Sequence, residues 1–194
     1  MMKTVRLVVV VQPNKAICEE ALKAANFYTR EYYGKTSKHI RYTSNDEIMF
    51  APPHITVRGG STVETSSVKE FVDKVKNIAS KHKKFTLNFS GIRSFSKNKK
   101  PFVYYWYVKL NKTLNSIEKS FHKELKKWPS HRFPSYNPHM TIVYDDRSRS
   151  PLLAHSPRPL PKRKCIISSL VILKKSTQRS RRKYYKFYIR IPLR

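Results

Sequence analysis

Pro53-His54-Ile55-Thr56-Val57 and Pro138-His139-Met140-Thr141-Ile142 share one pattern, Pro-His-apolar-Thr-apolar. In a β-strand, residues i and i+2 point to the same face. Each segment, as a strand, sets an imidazole and a hydroxyl side by side on one face and turns its apolar residues to the other. Two such strands brought together surround one small space with two His and two Thr. Displacement at phosphorus suits that set. One imidazole takes a proton from the attacking oxygen and the other gives one to the leaving oxygen. The Thr hydroxyls hold the nonbridging oxygens.

Working outward, Val5–Val11 is a continuous β-branched run, the pattern of a buried strand. Gln12-Pro13-Asn14 breaks it. Lys15 to Tyr33 is a helix, with Ile17, Ala21, Ala24, Ala25 and Tyr28 at helical spacing and Gly34 as its stop. The first motif strand spans about Ile55–Arg58, ended by Gly59-Gly60. Ser67 to His82 is a second helix, its stripe Val68, Phe71, Val72, Val75, Ile78 and Ala79. Phe85–Phe95 and Phe102–Leu110 alternate like paired strands. Asn111 to Trp128 is a third helix, and the second motif strand follows at about Met140–Tyr144. Ile166–Lys174 and Lys183–Ile191 form a closing hairpin. This order predicts an α+β fold with two similar lobes, each too small to be stable alone. The motif strands meet in a central cleft between them, and residues 1–194 form a single domain.

The chain has 194 residues, 39% of them hydrophobic and 12% aromatic, which argues against disorder. Leu7–Val11 is far too short to cross a bilayer. The opening Met1-Met2-Lys3-Thr4-Val5-Arg6 lacks the apolar stretch of a signal peptide. A cytoplasmic protein off the membrane is expected, as a monomer, and Pro161-Lys162-Arg163-Lys164 resembles a short nuclear-import patch. Cys18 and Cys165 have no zinc-type spacing and are expected as buried thiols. The net charge is +29, from 41 Lys and Arg against 12 Asp and Glu, which points to a polyanionic partner. Arg147 to Arg194 holds 15 Lys or Arg and no acid. Arg147–Lys164 within it is a basic, Pro-rich loop, either gripping phosphates or a plain insertion.

Neither motif has a carboxylate beside it, and hydrolytic metals usually take three protein ligands. No metal or other cofactor is therefore expected. The remaining histidines, His39, His82, His122, His131 and His155, lack the motif context and are expected at the surface. Phe50, Phe133, Tyr136 and Tyr144 lie close to the motifs in sequence and are candidates for stacking on a base. Tyr104-Tyr105-Trp106-Tyr107 presents aromatics to both faces of a strand, most of them for packing.

The paired His-x-Thr signature resembles that of the 2H phosphoesterase superfamily, which includes the LigT-like RNA 2′,3′-cyclic phosphodiesterases also called 2′,5′ RNA ligases. The element order and the ending Tyr185-Lys186-Phe187-Tyr188-Ile189-Arg190-Ile191-Pro192-Leu193 look alike too. The resemblance implies a bilobal, pseudo-twofold fold with antiparallel sheets flanking a cleft and helices outside. It implies His54 and His139 as the catalytic pair, Thr56 and Thr141 as the phosphate-binding pair, and a metal-free site acting at a ribose 2′ position. The implied substrates are RNA 2′,3′-cyclic phosphate ends, 2′,5′-oligoadenylate, or a cyclic dinucleotide such as 2′,3′-cyclic GMP–AMP. Some viral members destroy such antiviral messengers. The alternative is an RNA-binding protein on a 2H scaffold with little or no catalysis.

Overall fold

The computed structural model describes residues 3–32, 39–42, 48–97, 100–130, 135–145, 160–175 and 182–194. The strands are β1 (Thr4–Val11), β2 (His39–Tyr42), β3 (Ile48–Ala51), β4 (Ile55–Glu64), β5 (Phe85–Lys97), β6 (Lys100–Lys109), β7 (His139–Asp145), β8 (Arg163–Ile167), β9 (Ser169–Lys175) and β10 (Arg182–Pro192). The helices are α1 (Lys15–Tyr32), α2 (Val68–Ser80) and α3 (Lys112–Glu124). Among these residues, no helix is long and apolar enough to cross a membrane.

The strands form one sheet in the order β2-β3-β10-β9-β1-β4-β7-β6-β5-β8. One lobe is β10-β9-β1-β4, antiparallel throughout; the other is β7-β6-β5-β8, also antiparallel. They join where β4 meets β7, and among the described residues that ladder is the pair Ile55↔Met140. The short strands β2 and β3 add parallel pairings to β7 and β10. The expected α+β bilobal architecture is present, with the lobes fused into one curled sheet.

Strand alternation sorts the side chains. Val5, Leu7, Val9 and Val11 of β1 enter the main core with Phe71, Val75 and Ile78 of α2 and Leu114, Ile117 and Phe121 of α3. Val8 and Val10 point the other way and pack with Val171 and Leu173. The helices therefore cover one face of the sheet, and the other face forms the cleft. Asn111 caps α3, its side chain accepting from Leu114 N–H at 2.7 Å.

Three boundaries differ from the expectation. β4 runs through Gly59-Gly60 to Glu64 because β1 keeps pairing with it to Thr4. The side chain of Arg6 lies where a Cβ on Gly60 would sit, so the glycine makes room for it. The third helix ends at Glu124, and Leu125 to Trp128 follows as a turn. The first arm of the predicted closing hairpin is two strands: β8 pairs with β5 in the second lobe, and β9 pairs with β1 and β10 in the first. Ser168 separates them, its carbonyl accepting from Leu193 N–H at 2.9 Å. Of the basic stretch, residues 147–159 lie outside the described residues. Leu160 packs against the core and Arg163 pairs with Glu20 of α1 at 2.7 Å.

Candidate active site

The pair Ile55↔Met140 puts both apolar motif centres on the core side, where each is fully buried. Extending that antiparallel register by one residue sets His54 opposite Thr141 and Thr56 opposite His139. All four then lie on the cleft face, half-buried, at the seam of the lobes. Each hydroxyl thus has an imidazole beside it on its own strand and another across the seam.

Both imidazoles are anchored alike. His54 Nδ1 lies 2.6 Å from the Pro52 carbonyl oxygen, and His139 Nδ1 lies 2.8 Å from that of Asn137. A carbonyl oxygen only accepts, so Nδ1 carries the hydrogen and donates it. In the neutral ring Nε2 then holds the lone pair, and protonation adds a hydrogen there. The same anchor two residues upstream in each motif gives two rings of the same tautomer. One can take a proton at Nε2 while the other, protonated, gives one up.

The surroundings of His139 are aromatic. Its ring meets Phe95 edge-on at 5.0 Å and Tyr105 at 5.1 Å, and Phe95 and Tyr105 stack at 4.3 Å. Of the β6 aromatics, Tyr104 and Trp106 enter the core. Tyr105 lies opposite Thr141, and Tyr107 opposite His139, so both share the cleft face with the motif. The strand is legible in the sequence, but its role is not. Ladder register, which one strand does not encode, decides that two of its aromatics flank a histidine.

Tyr136 is placed differently from a stacking platform. Its ring packs against the core, and its hydroxyl donates to the Thr56 carbonyl at 3.1 Å. It ties the approach to the second motif to the strand of the first. Phe50 belongs to β3 and Tyr144 to β7, but the side chain of Tyr144 and that of Phe50, like the whole of Phe133, lie outside the described residues. His122, expected at the surface, pairs with the buried Glu118 at 2.8 Å. No group of three or more His, Cys, Asp or Glu among the described residues is arranged to hold a metal ion.

The curled, helix-backed bilobal sheet is the α+β fold of the 2H phosphoesterase superfamily, whose members are phosphoesterases. A profile of the 2′-5′ RNA ligase superfamily matches residues 34–179, and the chain belongs to that superfamily. The fold is similar to that of TT0787 from Thermus thermophilus, at a TM-score of 0.73 and 11% identity over 97% of each chain. It is also similar to E. coli LigT complexed with 3′-AMP, at a TM-score of 0.64 and 14% identity over 98% of this chain and 99% of that one. LigT complexed with ATP matches at 0.63 and 13%, over 98% of both chains. A search of curated protein sequences found no match.

Proposed function

We propose that the protein is a metal-independent phosphodiesterase that cleaves 2′-linked or cyclic ribonucleotide phosphates. The observation that carries this is the matched anchoring of His54 and His139 through Nδ1 to carbonyls two residues upstream. Two like imidazoles, each with Nε2 as its titrating nitrogen, supply one base and one acid near neutral pH. Thr56 and Thr141 donate to the nonbridging oxygens, where charge builds in the transition state. Water attacks a cyclic phosphate; in a 2′,5′ linkage the neighbouring 3′-hydroxyl attacks first and leaves a cyclic product. Nucleotide complexes of LigT, with 3′-AMP, ATP and NADP+, support a nucleotide ligand. The substrates that fit are RNA 2′,3′-cyclic phosphate ends, 2′,5′-oligoadenylate and mixed-linkage cyclic dinucleotides, the last two being messengers that a viral enzyme would remove.

The test is a rate comparison by chromatography over base-matched 2′,5′- and 3′,5′-dinucleotides, nucleoside 2′,3′-cyclic phosphates and cyclic dinucleotides. The 2′-linked and cyclic members should be consumed at least about a hundredfold faster than the all-3′,5′ ones. Moving the linkage takes the leaving oxygen away from its proton donor, and about 1 Å of misplacement already has that effect. His54→Ala and His139→Ala should each abolish turnover, each loss approaching that of the double variant. Activity should survive excess EDTA. Near-normal turnover by a folded single variant, or equal rates on both linkages, would refute the reading.

A further inference from the structure

β5 carries one residue too many for its partner. Phe89 pairs with Val108 but Ile92 pairs with Trp106, so Ser90 and Gly91 together oppose one residue of β6. Gly91 takes φ 67°, as a glycine bulge requires. The extra residue reverses the alternation along the rest of the strand. Ile92 packs against the core, and Arg93 and Phe95 turn to the cleft face.

There Arg93 lies opposite Tyr105, which lies opposite Thr141. Its guanidinium carbon sits 3.7 Å from the ring centroid of Tyr107, the residue opposite His139. Stacking occupies the flat face of a guanidinium and leaves its edge N–H donors for an anion. Arg93 is exposed. No carboxylate among the described residues pairs with it, whereas Arg163 is held by Glu20, Lys81 by Glu124 and Lys127 by Glu70. The first lobe offers nothing equivalent at that position. From Thr56 the row runs through Val10 and Val171, and only then reaches Arg190, whose guanidinium already donates to Gln12 Oε1 at 3.3 Å.

We propose that Arg93, braced on Tyr107, is a subsite for a second phosphate, one nucleotide unit away from the phosphate held by the two motifs on the His139 side. Two strand spacings, roughly 10 Å, separate Arg93 from Thr141 along the row. A phosphate on Arg93 is therefore a neighbour of the reacting one. The ligand class is a ribonucleotide bearing two phosphates on one ribose or across one linkage. The subsite rests on the phosphodiesterase reading for the position of the first phosphate.

Its test does not need turnover. Calorimetric titration of adenosine 2′-monophosphate and adenosine 2′,5′-bisphosphate into the intact protein reads the second phosphate directly. The bisphosphate should bind at least about tenfold tighter. Arg93→Gln should weaken the bisphosphate by roughly tenfold to a hundredfold, the range of a charge-assisted hydrogen bond. The monophosphate should stay within about twofold, the same tolerance. Tyr107→Leu should fall between the two, since it removes the brace and leaves the charge. No preference for the bisphosphate in the unaltered protein, or equal loss of both ligands in Arg93→Gln, overturns the subsite. A protein that discriminates the two ligands but cleaves nothing in the substrate panel refutes the phosphodiesterase reading and keeps the subsite. Cleavage without discrimination does the reverse.

Discussion

Tyr136 holds the two motifs to each other by one hydrogen bond, from its hydroxyl to the Thr56 carbonyl at 3.1 Å. Burial, with the charge of Glu118 adding to it, pushes the phenol far above its usual range, so it stays protonated and donating. On the other side of the first motif, Cys18 Sγ lies 3.9 Å from the Pro53 carbonyl and 3.5 Å from that of Pro13. Burial first, then Cys165 and Glu19, pushes that thiol up to about 11, which makes it a protonated packing group and not a nucleophile. Tyr136→Phe keeps the ring and deletes the donor. It should lower stability by about 1 kcal/mol, the worth of one hydrogen bond. If the bond sets the reach from Thr56 to His139, kcat should also fall by about tenfold, part of the loss that a misplacement of about 1 Å brings. KM should stay nearly constant. Denaturant unfolding beside steady-state kinetics checks both; a stability loss with unchanged kcat would make Tyr136 a packing residue alone.

Bulges decide what each strand presents, and they are also what sequence alone could not supply. His54 with Thr56 and His139 with Thr141 were legible because the two-residue period holds within each motif. The period breaks just beyond. In β4, Val9 pairs with Arg58 and Val10 with Thr56, so Val57 is an extra residue. It lets Arg58 join Val57 in the interior, where Arg58 is only 3% exposed. A bulge depends on the strand alongside, which the local sequence does not name. For the same reason nothing in the local sequence sets Arg93 apart from the other basic residues. The split between β8 and β9 falls at Ser168-Ser169, a polar pair too short to mark a strand boundary by itself, and either lobe accepts the apolar residues on each side of it. Arg58 also explains how α3 ends without a glycine. Its guanidinium donates to the carbonyls of Phe121, Leu125 and Trp128 at 3.1, 3.0 and 2.5 Å. Arg58→Met removes three charged donors and leaves each carbonyl with one other donor, Leu125 N–H, Trp128 N–H and the Ser61 hydroxyl respectively, and should destabilise by about 3 kcal/mol. In a chain of this size the melting temperature should fall by roughly 6–12 °C. Arg58→Lys should recover only part, because an ammonium lacks the planar fork. A loss under about 1 kcal/mol in Arg58→Met would show that those remaining donors satisfy the carbonyls without the guanidinium.

Across the whole molecule, the ion-paired acids of the described residues lie on the helix layer. The ion-paired acids Glu19 and Glu20 lie on α1, Glu70 and Asp73 on α2, and Glu118 and Glu124 on α3. The helices pack against the face of the sheet that is turned away from the motifs, so these acids neutralise bases on the outer layer. On the cleft face, among the described residues, stand Arg93 and Arg190; the stretch of chain from Arg147 onward, Arg190 included, holds 15 Lys or Arg and no acid. A field of that sign draws an anionic ligand toward the motif face and raises its rate of encounter. How far the field is used depends on ligand length. A dinucleotide reaches the motifs and Arg93 and little more, whereas a longer single strand has phosphates left over for the surrounding lysines and arginines. Each phosphate contact on a single strand contributes about 0.7 to the fall of log K with log salt. Affinity for a 2′,3′-cyclic-phosphate-ended RNA of about ten nucleotides should therefore fall with salt more steeply than that for a dinucleotide, by roughly 2 or more in slope for three extra contacts. Truncation before Arg147 would remove β8 to β10 and the fold with them, so the comparison is better made on the full chain. Replacing Arg147, Arg149 and Arg158 together by Gln should flatten the RNA slope and leave the dinucleotide slope unchanged. Fluorescence anisotropy over a salt series reads both. Equal slopes for RNA and dinucleotide in the unaltered protein would mean that this charge serves solubility and not substrate binding, and the preferred substrate would then be the small nucleotide.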